Sequence, residues 1–181
     1  MLLLLPRIDD DLAAEARAAG CVYCGGRLDA ADYPRKARGA DELGDAYAWR
    51  RSFCCGVDGC RRRRTPPSVR FLGRKVYLGA VVVLATALQR GPSKTSVTKL
   101  SALLGISRRT LARWCRWWST MFATSRFWTS LRGRFIPAVD ETALPSSLLS
   151  RLLETDEPAV IALLRLLAPM STRPHLEASA P

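Results

Sequence analysis

Five of the six cysteines in this 181-residue chain lie in two short clusters, and these restrict the fold more than any other feature. Cys21 and Cys24 stand in CVYCGG, and Cys54, Cys55 and Cys60 stand in FCCGVDGC. Two residues between cysteines let both sulfurs reach one ion, and the adjoining glycines permit the tight turn in which backbone N–H groups face the thiolates. Two such pairs separated by a hairpin-length insert match a closed, tetrahedral structural site. The expected cofactor is therefore Zn2+, with Cys21, Cys24, Cys55 and Cys60 as ligands. Tyr47, Trp49, Arg51, Phe53 and Cys55 share one parity of a strand, which places Cys55 on the aromatic side, with Cys54 as the alternative ligand. The sixth cysteine, Cys115, falls on an apolar helical stripe and reads as a small core residue.

A metal site from cysteines presumes a reducing compartment. The leucines of MLLLLPRIDDD are too few for a signal core and run straight into acids, and LGAVVVLATAL at Leu78–Leu88 falls below the roughly 20 residues that span a bilayer. The expectation is a cytoplasmic protein with no membrane partner, in which paired cysteines hold metal rather than form disulfides. A formal charge of +12 points to a polyanion, and an apolar content of 48% is enough for a packed core.

The stretch that gives this charge a purpose is Val97 to Phe122, VTKLSALLGISRRTLARWCRWWSTMF. Leu100 and Leu104 stand one helical turn apart, Gly105 can take the left-handed conformation that turns the chain, and Ile106 points back between two helices. Ser107 is a good N-cap for the next helix. From there Leu111, Trp114, Cys115, Trp118 and Phe122 recur as one helical stripe, with Arg109, Arg113 and Arg116 opposite. The reading is a helix-turn-helix ending in a long recognition helix, its dry face on two other helices and its arginine face in a DNA groove. Arg109, Arg113 and Arg116 are the candidate DNA contacts on this face, with Arg109 and Arg113 reading guanine.

Between the cysteine pairs, turn residues at Pro34, Gly39 and Gly44 suggest the hairpin arm of a zinc ribbon, with Arg35, Lys36 and Arg38 on a solvated loop. Immediately after Cys60, RRRRTPPSVRFLGRK carries Arg61, Arg62, Arg63 and Arg64 and closes with Arg70, Arg74 and Lys75. This is read as a basic strip that grips phosphates without specifying sequence. Pro66 and Pro67 fix an extended connection and mark a domain boundary.

The remaining stretches supply helices. Asp9–Ala19 reads as a short helix with aspartates at its start, and Val76–Arg90 as the first helix of the DNA-binding unit. Phe127 and Trp128 read as core. After Pro137, two leucine-rich helices open at Pro145-Ser146-Ser147 and at Asp156-Glu157-Pro158, forming a hairpin that either caps the unit or pairs two chains. The only histidine, His175, lies in a loose tail, and Asp140, Glu141, Glu154, Asp156 and Glu157 sit on short helices with no strands to converge them. The chain is accordingly expected not to be an enzyme. The fold class is mainly α, a helix-turn-helix domain preceded by a small β zinc ribbon. Its segments are a helical lead over 1–19, the ribbon with its basic strip over 20–67, and the helix-turn-helix domain over 68–136. A helical hairpin over 137–170 and a disordered tail over 171–181 complete it.

A C-x-x-C-G-G knuckle, a second cysteine pair, an arginine run with Thr-Pro and a helix-turn-helix ending in an Arg-Trp-rich helix form one order of parts. From Cys21 to Trp118 that order resembles the N-terminal DNA-binding region of bacterial insertion-sequence transposases and their small accessory proteins. The resemblance implies binding to the terminal repeats of a mobile element. It matches Cys21, Cys24, Cys55 and Cys60 to zinc ligands, and Ser107, Arg108, Arg109, Thr110 and Arg113 to the recognition helix. No catalytic domain follows here, so the expectation is an accessory or regulatory protein, as in transcription regulation, or else a fragment, with double-stranded DNA, a transposase or a second copy as partners. The alternative is a protein-interaction adaptor that uses the ribbon and the C-terminal helices.

Overall fold

The computed structural model describes residues 4–35, 45–72, 79–90, 107–153 and 156–172. The chain forms two compact units, one from Met1–Ala37, Asp41–Val76 and Arg165–Pro181, the other from Arg38–Ala40 and Tyr77–Leu164. Among the described residues the chain is mainly helical, with five short strands confined to the first unit.

The first unit opens with helix α1, Leu4–Ala18, five residues earlier than the aspartates suggested. Pro6 is tolerated because it falls in the first turn, where its missing N–H has no helical partner to lose. Leu5, Ile8, Ala13 and Ala16 form the buried stripe. Asp9 therefore does not cap the helix but sits mid-helix on this inner face, with no solvent exposure. Its Oδ2 accepts from Ser68 Oγ at 2.6 Å and Arg70 Nε at 2.8 Å, while Oδ1 accepts from Val69 N at 2.7 Å. Arg70, read from sequence as the far end of a basic strip, is thus buried and unavailable to a polyanion. Its other nitrogens donate to the carbonyls of Tyr47 and Trp49 at 2.7 and 2.8 Å.

The strands are β1 (Leu28–Ala30), β2 (Tyr33–Pro34), β3 (Trp49–Arg50), β4 (Phe53–Cys55) and β5 (Arg63–Arg64). They form a three-stranded antiparallel sheet in the order β1-β4-β5 and a separate pair β2-β3. Leu28 faces Cys55 across β1 and β4, and Cys54 faces Arg63 across β4 and β5. Tyr47–Cys55 is not one strand. Asp32 takes the Ser52 N–H at 2.9 Å and the Arg51 guanidinium at 2.7 Å, bending the chain between β3 and β4. The parity consequently breaks: Trp49 is exposed, whereas Arg50 is buried against the carbonyls of Pro66 and Pro67. Of the residues of that parity, Tyr47, Phe53 and Cys55 are buried, whereas Trp49 and Arg51 are not.

The second unit contains α2 (Gly79–Arg90), α3 (Arg108–Arg116), α4 (Arg126–Leu131) and α5 (Ser146–Leu152), and α6 (Ala159–Leu167) begins in it. Ser107 caps α3, its side chain accepting from Thr110 N at 3.2 Å. The helix continues through a wider, π-helical turn over Trp117–Phe122, where Ala123 N reaches back to Trp118 O at 3.2 Å. Ser119 and Thr120 side chains bond the carbonyl of Arg116, competing with the regular ladder and accounting for the loosened turn. Leu111, Trp114, Trp118 and Phe122 are all buried, as the stripe required, and Cys115 is half-buried.

Trp118 is anchored by its indole N–H, which donates to Thr86 Oγ1 on α2 at 3.1 Å. Phe122 meets Trp128 of α4 with ring centroids 5.1 Å apart, which makes Trp128 core as expected. The two leucine-rich helices occur where the sequence placed them. Ser146 at the start of α5 donates to Ala87 O of α2 at 3.2 Å, and Leu148, Ile161, Leu163 and Leu164 are buried, so this hairpin is part of the unit's own core. Residues 97–106, carrying the first helix and glycine turn of the expected helix-turn-helix, lie outside the described residues, as do Lys36, Arg38, Arg74, Lys75 and His175. No helix among the described residues is long and apolar enough to cross a membrane.

Candidate metal centre and basic surfaces

Helix α1 delivers the first knuckle. Gly20, just past its end, takes a φ of +70°, and a Cβ there would stand 2.9 Å from Gly25 O, so the reversal needs glycine. Cys21 N then bonds Gly26 O at 2.9 Å and Gly25 N bonds Cys21 O at 2.8 Å, closing the loop that holds Cys21 and Cys24. Strand β4 brings Cys55 underneath, and the turn after it returns Cys60, whose N–H bonds Val57 O at 3.1 Å. Gly26 fits between: a Cβ on it would meet Val57 Cγ2 at 2.3 Å and the sulfurs of Cys24 and Cys55 at 3.3 and 3.4 Å.

The result is a cluster in which the sulfurs of Cys21, Cys24, Cys55 and Cys60 all lie within 4.8 Å of one another. Cys21 and Cys60 sulfurs are 3.7 Å apart, and those of Cys24 and Cys55 are 3.5 Å apart. A tetrahedron with Zn–S bonds of about 2.3 Å has edges of about 3.8 Å. A disulfide needs about 2.05 Å, and all four cysteines are free. Cys54 is outside the cluster. It faces Asp29 and Arg63 on the other side of the sheet, with its sulfur 3.3 Å from Arg61 O.

Backbone dipoles and crowding act in opposite directions on these thiols. The Tyr23 N–H draws Cys21 down to about 7 against the effect of burial, helped by the Cys24 N–H and the neighbouring thiols. At Cys55 the Val57 N–H, 3.5 Å from the sulfur, favours the thiolate, yet burial and the other three sulfurs outweigh it and push the thiol up to about 12. Four thiolates this close repel one another, and a divalent cation among them removes that repulsion. The donor set is all thiolate, closed and half-buried, which fits a structural metal rather than one that must bind a substrate.

The arginine run after Cys60 is not a uniform strip. Arg61, at a φ of +43°, Arg62 and Arg63 are exposed. Arg64 is turned inward, its guanidinium donating to Gly20 O at the end of the first knuckle. The Arg62 guanidinium lies 4.3 Å from the ring centroid of Tyr23, and that of Arg63 lies 5.5 Å from Tyr33. Sequence reasoning did not single out these tyrosines. Only the tyrosine inside the first knuckle, two residues from a ligand, could have drawn attention to one of them.

On α3 the structure gathers Arg108, Arg109, Arg113 and Arg116 as exposed side chains, away from the buried Leu111 and Trp114, with Thr110 half-buried. Among the described residues, which do not include Glu154, the acidic side chains do not converge. Asp140 caps a short turn through Thr142, and Glu141 accepts from Trp128 Nε1 at 2.8 Å and Arg132 at 3.2 Å. Both carboxyls are held below their usual range by these bonds, from Thr142 for Asp140 and first from Trp128 for Glu141. Compared with known proteins, the chain matches no protein-family model, no curated protein and no solved structure.

Proposed function

We propose that this protein is a zinc-containing, double-stranded DNA-binding protein without chemistry of its own, acting at a mobile-element end or an operator beside a transposase or a second copy of itself. The observation that carries the reading is the division of α3 and the wide turn that continues it, with Leu111, Trp114 and Trp118 buried on one side and Arg108, Arg109, Arg113 and Arg116 exposed on another. A helix buried by tryptophans and presenting arginines from a capped N-terminus suits a recognition helix. The sequence expectation for the segment before it, Val97–Ile106, is the first helix and turn of a helix-turn-helix. Zn2+ on Cys21, Cys24, Cys55 and Cys60 makes the first unit a zinc ribbon, where the metal stands in for a core too small to hold those strands.

In this reading Arg109 and Arg113 contact guanine edges in the major groove, and Ser107, Arg108, Thr110 and Arg116 position the helix on the backbone. Arg61, Arg62 and Arg63 bind phosphates. Arg64 serves the knuckle instead, through Gly20. The test compares two variants on a set of duplexes. Arg113→Ala should relax sequence preference, at about 1–3 kcal/mol for its base pair, while Arg62→Ala with Arg63→Ala should weaken every duplex alike and flatten the salt dependence. Equal effects of both on all sequences would remove the division of roles.

One observation favours a second reading, an adaptor that docks a protein through the knuckles: Val22, Tyr23 and Val57 are 52%, 45% and 43% exposed. It predicts DNA binding with little salt dependence, or none, and capture of a protein partner that Val22→Asp with Val57→Asp abolishes.

A further inference from the structure

The exposed arginines after the last cysteine have a feature that simple phosphate contact leaves unexplained. Four carboxylates of the first unit are bonded to arginines: Asp9 to Arg70, Asp10 and Asp32 to Arg51, and Asp29 to Arg27. Arg61, Arg62 and Arg63 have no carboxylate partner among the described residues. Two of them rest instead on tyrosine rings, Arg62 on Tyr23 and Arg63 on Tyr33.

The placement follows from the sheet. β5 is the edge strand of β1-β4-β5, so one of its sides has no neighbouring strand. Side chains alternate across a strand, and Arg63 shares the face of Cys54 while Arg62, whose carbonyl accepts from Cys55 N at 2.9 Å, falls on the side of the knuckle that carries Tyr23. The two tyrosine–arginine pairs therefore flank the exposed edge. Tyr23 is 45% exposed and Arg62 is exposed, so the first pair stands in solvent beside the knuckle.

We propose that this edge binds an unpaired nucleic-acid strand, with phosphates on Arg61, Arg62 and Arg63 and bases stacked on the Tyr23–Arg62 and Tyr33–Arg63 platforms. The inference deepens the phosphate role given above to these arginines and does not depend on α3. The chemistry argues for an unpaired strand rather than a duplex because stacking on a ring or a guanidinium plane needs a free base face, which paired and stacked bases do not offer. Uncompensated positive charge supplies the backbone attraction, and planar arginine on tyrosine supplies a stacking surface that lysine would not. DNA and RNA strands share this chemistry.

The test uses the full-length, zinc-loaded protein and fluorescein-labelled oligothymidine and oligouridine strands of about 12 nucleotides, within the site size of such surfaces. Anisotropy should report salt-dependent binding to at least one strand. Tyr23→Ala should weaken it about tenfold, and Tyr23→Phe, which keeps the ring, by no more than about twofold. Arg62→Lys, which keeps the charge and loses the plane, should weaken strand binding severalfold while leaving its salt slope unchanged. Arg113→Ala should leave strand binding untouched, so a failure of the α3 reading registers only on duplex. Either no strand binding or wild-type affinity in Tyr23→Ala and Arg62→Lys would overturn the proposal. Metal content and circular dichroism of Tyr23→Phe and Arg62→Lys confirm that folded protein is compared.

Discussion

Asp9 brings a carboxylate into the interior of the first unit, and Ser68, Val69 and Arg70 surround it there with hydrogen bonds. Removing one member of such a buried pair leaves the other charge without compensation, at a cost of about 3–5 kcal/mol. Asp9→Ala should therefore destabilise the unit by that order in denaturant titration, and a loss below about 1 kcal/mol would contradict the role given to the pair. A second prediction separates adjacent thiols. Cys55→Ser should cost the protein its zinc, measured by elemental analysis, and broaden its thermal unfolding, while Cys54→Ser should keep both at wild-type values, because only the former sulfur faces Cys24. The cysteines were legible in sequence because ligand spacing is a local constraint that a few residues satisfy. Asp9 was not. Three consecutive aspartates near a helix start fit the dipole rule equally well, and what turns the first one inward is Arg70, 61 residues further on.

α3 and the wide turn after it behave as one element with a dry side and a charged side. The period of Leu111, Trp114, Trp118 and Phe122 made the dry side readable, and burial of all four follows it. The wide turn was not readable, since it comes from Ser119 and Thr120 competing for the Arg116 carbonyl rather than from any apolar pattern. Likewise the strand run into Cys55 hid a bend, because its cause, Asp32, lies in a different strand region. Thr86→Val should destabilise the second unit by about 1–3 kcal/mol in thermal or chemical unfolding, since the Trp118 N–H would lose its buried acceptor. A cost near zero would show that the indole finds another partner. Glu141 joins α4 to the turn after it through Trp128 and Arg132. Those bonds depress its folded pKa, so its contribution is present above the ordinary unfolded carboxylate pKa and is lost as pH falls through the lower folded value. Glu141→Gln should reduce the acid sensitivity of unfolding in that window, and an unchanged pH profile would contradict the link.

For the molecule as a whole, the net charge of +12 sets the expectation of a polyanion partner, and the clustered cysteines offer a site for a metal that would hold a small set of strands together. The charge and the cysteine spacing were visible in the sequence. Which arginines remain available was not, because Arg50, Arg64 and Arg70 read like their exposed neighbours in a linear sequence yet are bound to backbone carbonyls or to Asp9. In the proposed function the polyanion contact therefore falls to α3 and to Arg61, Arg62 and Arg63. The direct test is selection from a random-sequence duplex library with the zinc-loaded protein across a salt series. The predicted result is enrichment of one motif, a log affinity that falls linearly with log salt at a slope of about −0.9 per phosphate neutralised, and loss of that motif in Arg113→Ala. Salt-sensitive binding with no enriched sequence, or no duplex binding at all, would contradict it.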